Sequence, residues 1–148
     1  MIYASQADIT DLYGERVLYV ADRDGDGVPD VPAIERALLG ASAEIDSYLA
    51  TRYALPLPDG TDVSVLRKLA VDIAVYTLAL SRDVLTDEIT KRYENAVASL
   101  RRLAKGEQTL QLPADPEADP EDPHADGPRA IVQGGPERLF SREKMRDF

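Results

Sequence analysis

Asp22, Asp24 and Asp26 stand at alternate positions, with Gly27 directly after them and Asp30 further on. Hard divalent cations seek several oxygen ligands at that kind of spacing. In a calcium loop of the EF-hand type, alternate carboxylates converge on the ion and a glycine at the sixth position permits a sharp turn. A backbone carbonyl at the seventh position adds a ligand, and the ninth helps directly or through water. Here those places fall to Asp22, Asp24, Asp26, Gly27, the carbonyl of Val28, and Asp30. The twelfth should be a bidentate Glu and is Ala33, while Glu35 comes too late to replace it. Asp22, Asp24, Asp26, Val28 and Asp30 are therefore candidate ligands of a weak, structural Ca2+ site. The same residues also read as a polar turn, because Asp and Gly favour turns and Asp30 could cap a following helix. No cofactor is required by the sequence.

Other chemistry is sparse. The chain has no cysteine and one histidine, His124, which lies in the Pro- and acid-rich run PADPEADPEDPHADGP. That excludes thiol nucleophiles, Cys-ligated zinc, Ser-His-Asp triads built on a structured histidine, and most zinc hydrolase sites. An enzyme is not expected. The formal charge of -10 over 148 residues disfavours nucleic-acid wrapping, which needs Lys and Arg against phosphates. It suits a surface past which DNA slides without sticking. No apolar run reaches membrane-spanning length and no signal-peptide pattern opens the chain, so a soluble protein made in the cytoplasm is expected.

The elements that must carry these residues are helical. Ser5, with Asp8 three residues on, has capping-box spacing, Ile9 and Leu12 give an apolar side, and Gly14 suits a stop. Val17–Ala21 reads as an extended stretch leading into the acidic loop. A second helix follows from Pro32 to Arg52, with Ile34, Leu38, Ile45 and Leu49 as its buried stripe. A third, from Asp62 to Arg82, places Leu66, Leu69, Ile73, Tyr76 and Leu80 on one side and Val71, Val75 and Leu78 on the other. A helix so apolar belongs in the middle of a bundle or between subunits. A fourth opens at Thr86, carries Ile89, Tyr93, Ala96, Leu100 and Leu103, and closes at Gly106 with cations in its last turns. The expected fold is all-α: a small bundle of about four helices over residues 1–106, then a long extended arm. Arg67, Lys68, Arg92, Arg101 and Arg102 alternate with acids, as solvated helix faces do, which argues against DNA readout.

Residues 107–137 are dominated by Pro, Asp and Glu and read as an extended linker. The last segment, 138–148, is RLFSREKMRDF. It sets Leu139, Phe140, Met145 and Phe148 among Arg138, Arg142, Lys144 and Arg146. Apolar anchors beside arginines at the end of a tether describe a docking peptide, with Arg138, Leu139, Phe140, Arg142, Met145, Arg146 and Phe148 as its contact residues.

Four segments together resemble a known family. They are Met1–Gly14, the loop Asp22–Asp30, the helix-to-proline run ASAEIDSYLATRYALPL (Ala41–Leu57), and Arg138–Phe148. Their wording is similar to the small neck proteins of Mu-like phages and prophages, which sit between the capsid portal and the tail. The resemblance implies a head–tail connector, or adaptor: helical bodies in a ring, commonly twelve-fold, with the C-terminal peptide inserted in the portal protein. The partners so implied are the portal, further copies of the chain, and another neck or tail protein below. DNA would pass through the channel without sequence-specific binding, and the place of action would be the neck of the virion. An alternative from another class is a calcium-binding helical interaction module, with the loop as sensor and the tail as effector. The missing twelfth-position Glu counts against it.

Overall fold

A computed structural model describes residues 1–113 of the chain, and among these every regular element is helical. Four α-helices are present: α1 (Gln6–Tyr13), α2 (Val31–Leu49), α3 (Ser64–Ser81) and α4 (Asp87–Lys105). A 3-10 helix, Glu15–Ala21, lies between α1 and α2. The all-α expectation holds. The expected extended stretch Val17–Ala21 does not: these residues coil tightly, and Leu18, Val20 and Ala21 are buried by doing so. Burying Leu18 and Ala21, three apart, on one side needs a helical turn, which overrides the β preference of Val and Tyr.

The caps follow from residue chemistry. Ser5 accepts from the Asp8 amide while the Asp8 carboxylate accepts from the Ser5 amide, a reciprocal capping box. Thr86 accepts from the Ile89 amide to start α4, and Gly106 ends it in the left-handed conformation. The helix expected to reach Arg52 stops at Leu49. The following turns bring Tyr53 back under the bundle, its amide donating to the Leu49 carbonyl at 2.8 Å.

Helices α2, α3 and α4 pack pairwise into a three-helix bundle, with α1 and the 3-10 helix laid against α3. The α2 stripe is buried as expected, and α4 buries Ile89, Ala96, Val97, Leu100 and Leu103. Tyr93 stacks on Tyr76 of α3, ring centroids 4.0 Å apart. The centre belongs to α3, in which Leu66, Leu69 and every residue from Ala70 to Val75 are buried. Its two apolar sides are thus both used within one molecule. Leu80, expected in the buried stripe, is instead exposed at the last turn.

The compact body runs to Pro113 rather than ending at Gly106. Past Gly106 the chain crosses back over the α2–α3 connection: the Leu110 amide donates to the Tyr53 hydroxyl at 3.1 Å, and the Asp62 amide donates to the Gln111 carbonyl. Residues 107–113 therefore belong with the helices and not with the linker. The rest of the expected linker and the docking peptide, including Arg138, Leu139, Phe140, Arg142, Met145, Arg146 and Phe148, lie outside the described residues.

Candidate functional site

The acidic loop joins the 3-10 helix to α2 and is shaped by its own aspartates. Asp22, largely buried at the loop's root, accepts from the Gly25 amide at 2.7 Å and the Gly27 amide at 3.2 Å. Asp26 accepts from the Val28 amide, and Asp30 accepts from the Arg23 amide across the loop. Gly25 and Gly27 adopt positive φ, which side chains resist, and so permit both reversals. The Ala21 carbonyl accepts from the Asp30 amide at 3.1 Å and closes the loop's neck.

This arrangement brings Asp22, Asp24 and Asp26 together, each able to place a carboxylate oxygen within 4.8 Å of the others. Asp30 is not in that cluster; its carboxylate is turned to Arg23 and makes no side-chain cap on α2. Ala33, at the twelfth position, is buried in the bundle and offers no side-chain ligand, and Glu35 is exposed outside the carboxylate cluster. Three convergent carboxylates fit a hard cation, yet fall short of the six to eight oxygens of a full calcium site.

A second site, which sequence reasoning missed, is a groove between the N-terminal segment and the first turns of α2. It has a volume of about 570 Å³ and is lined by Ile2, Ala4, Val31, Ile34, Leu38 and Leu39, with Glu35 and Arg36 at its edge. The N-terminal segment is fixed there by Tyr3, whose amide donates to Ser42 Oγ at 3.2 Å and whose hydroxyl donates to Asp46. Nothing in local periodicity marks Ile2, because the residues before α1 have no repeating pattern.

A third feature is polar and internal. Asp72, buried in the middle of α3, accepts from the Tyr13 hydroxyl and pairs with Lys68 at 2.9 Å. The Arg92 guanidinium lies 4.1 Å over the Tyr13 ring and pairs with Glu88. Burial, then the bond to Asp72, drives the Tyr13 hydroxyl pKa well up. Tyr3 is raised for the same reasons, with Asp46 as its partner. Hydrogen bonds from Ser5 pull the Asp8 carboxyl below the usual range, helped by Arg67 at 3.5 Å. Thus Arg67, Lys68 and Arg92 serve the body's own acids, in keeping with solvated or paired helix faces. The i, i+4 spacing of Lys68 and Asp72 was the available signal for the buried acid.

Among the described residues no helix is long and apolar enough to cross a membrane. Fold and sites together define a small all-helical protein that offers an acidic loop and an apolar groove on a well-filled core. The chain belongs to the family described as Bacteriophage Mu, Gp36, whose model matches residues 3–127. It is similar to gene product J of Escherichia phage Mu, 33% identical over 123 residues that cover 82% of this chain and 84% of that protein. It is also similar to the Mu-like prophage FluMu protein gp36 of Haemophilus influenzae, 39% identical over 88 residues, 60% of each chain. It is therefore a protein of the Mu-like phage type.

Proposed function

We propose that the protein is a structural component of the phage neck: a head–tail connector, or adaptor, that rings the portal and joins capsid to tail around the DNA channel. The observation that carries this reading is the family match over residues 3–127 on an all-helical body. The body is suited to a mechanical part. Its central helix is buried from Leu69 to Val75, so it holds shape while the body's surfaces meet neighbours. The net charge of -10 suits a passage for DNA. The C-terminal peptide Arg138–Phe148 is the proposed portal contact, and a further neck or tail protein binds the opposite side of the ring. Deleting Arg138–Phe148 tests the reading. The shortened chain keeps its helical circular dichroism and loses binding to purified portal; unchanged binding refutes it.

The convergence of Asp22, Asp24 and Asp26 favours one secondary reading, that the loop takes up Ca2+ as a structural ion at millimolar concentration. Calorimetry with calcium decides it: heat of binding and a raised melting temperature support the reading, and neither at millimolar ion removes it.

A further inference from the structure

We infer that the C-terminal end of α4, with Arg52 laid against it, is a cationic patch that touches the phosphate backbone of double-stranded DNA without reading its sequence. The inference rests on the connector reading for its setting and names the surface that the body turns to the passing duplex.

Three cations stand on one exposed side of the last turns of α4. Arg101 and Lys105 are four apart, and Arg102 and Lys105 three apart, spacings that make side chains neighbours on a helix; all three are exposed. A fourth comes from elsewhere in the chain. The Arg52 guanidinium, beyond the end of α2, lies against Gly106 so closely that a Cβ there would fall 1.5 Å from its Nη1. None of the four makes an ion pair among the described residues, whereas Arg67, Lys68 and Arg92 each pair with an acid. From Asn95 to Gly106 the chain holds no acid, and Glu107 is the first beyond.

Helix capping does not account for this gathering. The Arg102 carbonyl already accepts from the amides of Gly106, Glu107 and Gln108, and the Leu103 carbonyl from Gly106. Arg102 alone bonds back to the helix, to the Ala98 carbonyl and Ser99 Oγ, both at 3.4 Å. The macrodipole sets only about half a negative charge at a helix C-terminus, so even with Glu107 beside it the end stays positive by about two charges or more.

The chemistry of the patch favours a duplex over a protein. No large apolar side chain of α4 is exposed, so the anchors that a protein contact concentrates at its centre are missing. Protein–DNA interfaces are instead polar and strongly cationic, and Arg and Lys on phosphate oxygens position a duplex without specifying bases. Four cations are fewer than the roughly 6–10 phosphate contacts of a firmly bound protein, and the rest of this acidic chain repels phosphate. The patch therefore guides a moving duplex and does not grip it.

Fluorescence anisotropy of labelled duplexes at low salt tests this on the full chain. Duplexes of unrelated sequence should bind equally, with the logarithm of affinity falling by about 0.9 per contacted phosphate for each tenfold rise in salt. Arg101→Gln with Arg102→Gln should lower affinity by about tenfold or more and flatten that slope by about 1.8, while circular dichroism stays helical. Arg23→Gln with Arg36→Gln removes the same charge elsewhere and should leave the slope unchanged. No binding at low salt, affinity that follows sequence, or equal losses in the two double variants overturns the inference. Binding to purified portal is measured in parallel. If Arg101→Gln with Arg102→Gln loses portal rather than DNA, the patch serves an acidic protein surface and the inference falls. Portal binding without DNA binding sinks this contact alone, whereas DNA binding without portal binding sinks the connector reading.

Discussion

The three-helix bundle and the acidic loop keep their shapes by opposite means. In the bundle, Leu66, Ile73 and Leu100 are fully buried, and order follows from excluding water. In the loop only the root is buried; Asp22, Asp26 and Asp30 fold the backbone by accepting from its own amides. Burial couples α2, α3 and α4 to one another, so damage there is felt across the bundle. Side-chain bonds to neighbouring amides are local, so a loop built from them can be altered alone.

That contrast can be broken where it is strongest. Ile73→Ala empties space at the centre of α3 and should lower stability by about 2–5 kcal/mol, read as a fall in urea midpoint seen equally by all helices. Asp72→Ala strips the Tyr13 hydroxyl of its acceptor and Lys68 of its partner. A loss of about 2–3 kcal/mol is expected, with amide exchange rising first in α1, where Tyr13 resides. If α4 loosens as much as α1, the polar tie serves the whole bundle. Asp22→Ala sharpens the other side: about 1 kcal/mol, confined to faster exchange at Gly25 and Gly27, with the α2–α4 amides unmoved.

The smallest effect is with pH. Tyr13 has a raised pKa, so its contribution is complete below the ordinary value of 10.0 and fades as pH climbs past it. Melting temperature should hold level up to about pH 10 and then decline, and Tyr13→Phe should blunt that decline. Asp8 has the opposite sign: its pKa is lowered, so its contribution is present above the ordinary carboxylate range and is lost as pH falls below it.

Much of the bundle was legible from sequence because helices announce themselves by period and cap. Ser5 with Asp8, Thr86, and Gly106 each lie where their chemistry places them, and the α2 stripe of Ile34, Leu38, Ile45 and Leu49 is buried. What escaped depended on distant partners. The run VLYV has strand-like residues, and its packing against α1, α2 and α3 accompanies a 3-10 helix instead. Leu80 has the right phase to be buried, but it stands exposed in the last turn of α3. Of the candidate metal ligands, Asp22, Asp24 and Asp26 lie together, whereas Asp30 is diverted by the Arg23 amide, which no spacing rule reveals. The groove was illegible because one wall of it comes from residues before the first helix, which have no repeating pattern.

The return of residues 107–113 across the α2–α3 connection bears on any attempt to study the body by itself. A chain ended at the last helical residue would leave the Tyr53 hydroxyl and the Asp62 amide without their mates and bare the side of Leu110's seat. Such a fragment would behave badly for reasons unrelated to the missing tail. The sensible place to cut is after Pro113, where what is removed and what is weakened are no longer the same thing.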